Sequence, residues 1–134
     1  MPDFELTSTK DGVRLTLSPI GPRAYSASIV GRDLNVSTTI YDVLGETYVF
    51  PKFWKQLASS WKGWSGERSW SSIEGDLELT ATSDNLGHIT VRCHLSSGAP
   101  EGWSVTIWLH CEAGALESIA SNADRFSRSS EMAV

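Results

Sequence analysis

The chain has 134 residues, 40% of them hydrophobic and 20% charged, with a net charge of −5 at neutral pH. That length suits one domain able to bury roughly two-thirds of its extended surface, and the composition excludes a disordered chain. The negative balance excludes a general nucleic-acid binder, which needs a basic face, and no apolar run approaches a membrane span.

Met1-Pro2-Asp3-Phe4-Glu5 is acidic and shows no secretory signal, so a cytoplasmic location is the default expectation. Phe4 and Leu6 alternate with polar residues, Thr9 to Gly12 reads as a turn, and Val13, Leu15 and Leu17 alternate again. This is a hairpin pattern, and Pro19, Gly21 and Pro22 end it. Tyr25, Ala27 and Ile29 lead to a turn at Gly31-Arg32-Asp33, and Leu34, Val36 and Ile40 follow it. Four strands therefore precede position 43.

The period then changes. Pro51 suits the first turn of a helix, and Phe50, Trp54, Leu57, Trp61 and Trp64 recur at helical spacing. The expected helix runs from about Pro51 to Lys62, with Trp54 and Trp61 in the core, Phe53 at the rim and Gly63 just past the end. Trp64 and Trp70, beyond that end, are expected to be free to serve a surface.

After Trp70 the period returns to two. Ile73, Leu77, Leu79 and Ala81 share a face, as do Ile89, Val91, Cys93 and Leu95, and then Trp103, Val105, Ile107, Leu109 and Cys111. Leu116, Ile119, Ala120, Ala123 and Phe126 form the apolar stripe of a last helix, and the polar tail over 128–134 is expected to fray. The expected architecture is one α+β domain over 1–127. It has about seven mainly antiparallel strands in the order ββββ-α-βββ-α, with both helices packed on one face of the sheet.

The open face carries the chemistry. A tight turn over Asp84 to Gly87 places Glu78 opposite Arg92, Thr80 opposite Thr90 and Asp76 opposite His94. A second loop centred near Ala99 places His88 opposite His110, Thr90 opposite Trp108 and Arg92 opposite Thr106. His88, His94, His110, Arg92 and Trp108 then all face the polar side. Zinc needs three or four converging ligands, and this register supplies two histidines, so no metal site and no cofactor are expected. Cys93 and Cys111 face different partners and read as buried free thiols. Glu78 and Arg92 form a cross-strand ion pair. Trp108, an indole amid Thr, Arg and His, reads as a contact residue for a partner or a stacking platform for a sugar.

Charge divides the chain. Lys52, Lys55, Lys62 and Arg68 against Glu67 give +3 between Pro51 and Trp70. From Ser71 to Asp124, Arg92 alone opposes eight acids, which gives −7 and suits a basic protein partner. No nucleophile elbow, phosphate loop or metalloprotease helix appears, so a catalytic role has no support in the sequence.

The segment from Phe53 to Phe126 resembles a family of small bacterial proteins of unassigned function. The residues that carry the likeness are Trp61-Lys62-Gly63-Trp64-Ser65-Gly66-Glu67, Trp70, Ser72-Ile73-Glu74-Gly75-Asp76-Leu77, Gly87-His88-Ile89 and Glu112-Ala113-Gly114-Ala115-Leu116. Ser83 stands where that pattern has His before the Asp. In size, acidity, element order and Glu74 ahead of the post-helix strand, the chain is also similar to WapI-type immunity proteins, which neutralise toxins. That likeness implies a non-enzymatic protein-binding module. The alternative is a small-molecule or carbohydrate binder, or an accessory protein of a biosynthetic cluster, with a groove built by Trp64, Trp70 and Trp108. The residues expected to bind are Trp108, Arg92, Glu78, Trp64, Trp70, His88 and His110.

Overall fold

Alternating apolar residues become strands because their period of two matches the pleat, leaving one face to be covered. A computed structural model describes residues 3–21, 23–41, 49–98 and 102–132. The first four strands are β1 (Phe4–Thr7), β2 (Arg14–Gly21), β3 (Ala24–Val30) and β4 (Asn35–Tyr41). Helix α1 (Val49–Ser59) follows, then β5 (Arg68–Ser71), β6 (Leu77–Ser83), β7 (His88–Ser96) and β8 (Ser104–Glu112). A 3₁₀ turn (Ala113–Ala115) leads into α2 (Leu116–Met132).

Among the described residues the expected seven strands are eight. They form two antiparallel four-stranded meanders, β1-β2-β3-β4 and β5-β6-β7-β8, in place of one sheet. The additional strand is β5, which pairs Trp70 with Leu79 and Ser69 with Thr80. Four residues carry too few alternations to register as a period. Its turn into β6 is held by Ser72, whose buried hydroxyl accepts the Leu77 amide at 3.1 Å. The two sheets meet where β1 ends beside β8. There the Thr9 amide donates to His110 O at 2.8 Å and the His110 amide donates to Ser8 Oγ at 3.0 Å.

One core cluster draws on both sheets and both helices. Leu15, Leu17, Tyr25, Ala27 and Ile29 come from the first sheet, and Leu77, Leu79, Val91, Cys93 and Leu109 from the second. Phe50 of α1 sits among the rings of Phe4 (5.1 Å between centroids), Trp70 (4.8 Å) and Phe126 (6.0 Å). Most of these contacts are edge to face, the geometry that ring quadrupoles favour. Helix α2 lies against β1 and β2, while α1 touches β5. Helix α2 thus covers the meander it does not directly follow, while α1 packs against both sheets, on Phe4 of β1 and Trp70 of β5.

Helix α1 ends three residues earlier than its tryptophan spacing implies. The Ser60 amide donates to both Gln56 O and Leu57 O, which tightens the last turn. Gly63 then adopts φ +114°, and a Cβ there would sit 3.4 Å from Asp84 O, so the residue permits close approach of the 83–88 turn. Trp54 is fully buried, but Trp61 falls beyond the helix and is 57% exposed, contrary to its expected place in the core. Phe53, expected at the rim, is buried between α1 and the core. Helix α2 continues to Met132, past the start of the polar tail. Pro22, the loop centre near Ala99, Glu101 and residues 133–134 lie outside the described residues.

Because Phe50 touches a ring from each layer, Phe50→Ala should cost about 3–5 kcal/mol, a large share of a small domain's stability. Urea denaturation should show a strongly lowered midpoint. A change under about 1 kcal/mol would mean that the surrounding rings repack without it.

Candidate functional site on the outer face of the second sheet

The turn between β6 and β7 keeps Asn85, Leu86 and Gly87 outside the ladder, closed by the Asp84 amide donating to His88 O at 3.1 Å. Gly87 takes φ +84°, the left-handed residue that a three-residue hairpin loop requires. The loop is thus centred on Leu86, one residue past the centre that the expected pairs imply, and each cross-strand partner moves by two residues. Glu78 therefore lies opposite His94, Thr80 opposite Arg92 and Thr82 opposite Thr90. Between β7 and β8 the same displacement sets His88 opposite Glu112, Thr90 opposite His110, Arg92 opposite Trp108 and His94 opposite Thr106. A displacement of two residues preserves the face of every side chain. The three histidines, Arg92 and Trp108 do share the outer face, but the expected pairings change.

Trp108 stands midway along β8, the last strand in the sheet order, and is 52% exposed. Arg92, its cross-strand neighbour, extends to Glu67, with Nη1 3.4 Å from Oε2, and not to Glu78 as expected. His94 Nδ1 lies 2.8 Å from the Thr106 hydroxyl, and His110 Nδ1 lies 3.4 Å from that of Thr90. On this face, Ser69, Ser71, Glu78 and Thr80 line a shallow depression of about 220 Å³.

At the turn end of the face, His88 bridges two carboxylates. Its Nδ1 is 2.8 Å from Asp84 Oδ2 and its Nε2 is 3.8 Å from Glu112 Oε2. Asp84 Oδ1 also accepts the amides of Leu86 (2.8 Å) and His88 (2.9 Å), so one carboxylate organises the whole turn. The Asp84 hydrogen bond, then the charges of Asp84 and Glu112, raise the His88 pKa above its ordinary value. The backbone amide of His88 is the first cause holding Asp84 below the usual carboxylate range. The two ring nitrogens of His88 serve different carboxylates. Among the described residues no three His, Cys, Asp or Glu side chains are arranged to hold a metal ion. Asp84 and Glu112 were not legible as partners of His88, although an Asp four residues before a strand His, across a Gly turn, is the usable signal.

The three tryptophans expected to form a groove are not brought together. Trp70 is buried and shares the inner face with Leu79, opposite to Trp108. Trp64 is partly buried against the core, its Nε1 donating to Ala81 O at 3.3 Å, with the Arg68 guanidinium 5.0 Å from its ring centroid. Alternation across the pleat separates Trp70 from Trp108, so no aromatic groove of that composition exists.

Cys93 lies opposite Ile107 and Cys111 opposite Ile89, both on the inner face. Burial pushes the Cys93 thiol up to about 12 and that of Cys111 to about 11.

The turn, the sheet junction at Ser8 and most of α2 all fall within one sequence family. The family of unknown function DUF6228 matches residues 8–130. The chain belongs to it. No curated protein and no solved structure matches this DUF6228 chain. No helix among the described residues is long and apolar enough to cross a membrane.

Two measurements check this geometry. Native protein should resist iodoacetamide at neutral pH and take up two labels once denatured; rapid native labelling would show that the inner face opens. The raised His88 value contributes stability that is complete below the ordinary histidine pKa and is lost as pH rises through the folded value. The lowered Asp84 value contributes stability above the ordinary carboxylate pKa that is lost on acidification. His88→Gln should remove the first of these, flattening the urea midpoint across neutral pH. Both side chains are about half exposed, so the effect is small. Identical profiles for the two proteins would show that the bridge is not formed in solution.

Proposed function

We propose that this protein is a non-enzymatic binding module that grips a protein partner with the outer face of its second sheet. The observation that carries the reading is Trp108, a large indole left half exposed midway along β8, on a strand face otherwise made of Thr, His and charged side chains. Isolated exposed tryptophans in such settings are preferred anchors of protein interfaces, since they cover much area at little conformational cost. The surroundings are acidic. Glu67 reaches Arg92, Asp84 and Glu112 flank His88 at the turn end, and the sequence from Ser71 to Asp124 carries −7. A partner presenting a basic, partly aromatic or aliphatic surface fits that field.

A toxin-neutralising role of the WapI immunity type is the biological form of this proposal that best suits an acidic domain of this size. The likeness in element order and acidity supports it. His88 and His110, at one end of the face, and Glu78, at the other, would form the polar rim around Trp108, with Arg92 as its neighbour in the centre. The carbohydrate reading loses its groove, because Trp70 is in the core.

The test is titration calorimetry against a panel of basic toxins, in wild type, Trp108→Ala and Glu78→Lys. Trp108→Ala should weaken the complex by at least about 2 kcal/mol, as a central anchor does, without changing the thermal unfolding midpoint. Glu78→Lys should weaken it further at low salt than at high salt. Undiminished affinity in both variants would refute the assignment of this face.

A further inference from the structure

The basic segment lies on the helix side of the molecule and has no part in the sheet-face reading. Lys52, Lys55, Gln56 and Ser59 recur at i, i+3, i+4 and i+7, so they share one face of α1. With Ser60 and Arg68 they line an open groove of about 500 Å³. Every one of these side chains can donate a hydrogen bond. Three are cationic, and none is a carboxylate. In a chain of net charge −5 this is a local reversal of sign.

Arg68 is fixed in that wall. Its guanidinium lies against the Trp64 ring, and Nη1 donates to Ser60 Oγ at 2.8 Å and to Gln56 O at 3.4 Å. Nη1 thus caps the end of α1, while no partner of Nε or Nη2 occurs among the described residues. Capping accounts for an arginine at this place but not for two lysines turned to the same groove. Lys55 is 3.7 Å from Asp124, and Lys52 has no ion-pair partner among the described residues. Beyond Lys55 and Ser59 a second groove of about 600 Å³ is lined by Ala58, Glu117, Ala120, Ser121 and Asp124. Its two acids repel an anion and confine negative charge to the α1 wall, while its alanines leave room for an uncharged organic part.

We propose that the α1 groove binds phosphate, taking the phosphoryl group of a small phosphomonoester between Lys52, Lys55 and Arg68. A dianion with several equivalent oxygens matches a set of three cations, and the planar fork of Arg68 donates to two of those oxygens at once. A carboxylate, with one charge, leaves part of the set unmatched.

The full-length protein is titrated with inorganic phosphate, glycerol phosphate and acetate at constant ionic strength, following the Trp64 indole N–H resonance by NMR. Phosphate and glycerol phosphate should give a saturable shift and acetate none. Arg68→Gln also removes the α1 cap, so Lys52→Gln, which leaves the cap in place, decides the matter. It should weaken phosphate binding about tenfold, the scale of one charge-assisted contact. Sedimentation with vesicles containing phosphatidic acid separates two sources of the same chemistry. Lys52-dependent vesicle binding assigns a lipid headgroup, whereas saturation by glycerol phosphate without vesicle binding assigns a soluble ligand. A shift that never saturates, an equal response to acetate, or equal binding by Lys52→Gln overturns the proposal.

Discussion

Phe50 is the point through which the two halves of this fold are joined. Its ring meets Phe4 at the start of the first sheet, Trp70 on the edge strand of the second and Phe126 on the last helix. Among the described residues, hydrogen bonding between the sheets is confined to the short junction at Ser8, Thr9 and His110. The layers are therefore held by packed side chains more than by a continuous ladder. Interiors at crystal-like density tolerate little change of volume, so the aromatic cluster also fixes the angle at which the sheets meet. Both surfaces singled out here lie outside that cluster. Each depends on it for position, the strand face through Trp70 and Leu79, and the basic groove through the placement of α1.

Strand faces were legible because alternation is a property of neighbouring residues. Leu15, Leu17, Tyr25, Val91 and Leu109 are buried as their period implies. The stripe of α2, from Leu116 to Phe126, is buried for the same reason. What local pattern does not contain is the count of residues left out of a turn. The turn after Asp84 is centred on Leu86 and not on Asn85, and that one-residue move of the centre exchanges Glu78 for Thr80 as the neighbour of Arg92. Strand β5 escaped notice because it is four residues long and its one large side chain, Trp70, reads equally well as part of the tryptophan run.

The tryptophan run itself shows how one composition serves several ends. Trp54 fills the core, and Trp70 closes it from the second sheet. Trp64 takes an intermediate place, bonded to Ala81 O on one side and covered by Arg68 on the other. Trp61 is left outside, with the Lys62 ammonium 5.5 Å from its ring centroid. Helical spacing alone could not separate these roles, since the helix stops at Ser59 and spacing past that point no longer refers to one axis. The contact residues were legible in part. Trp108 follows from alternation, whereas the carboxylates around His88 and the stacking of Arg68 arise from tertiary approach.

The packing of α2 on the first sheet bears on how the chain is made. Leu15, Leu17 and Tyr25 lie in the first fifth of the sequence, yet Tyr25 packs edge to face on Phe126, 5.7 Å away and near the far end of the chain. During synthesis the part of the first meander that α2 covers emerges bare and stays so until α2 has left the ribosome. Neither half can reach its native burial alone, and acquisition of structure waits on closure of the longest loops in the chain. A nascent fragment ending before α2 is thus a sheet with an open greasy side, the form in which such chains attract chaperones or one another.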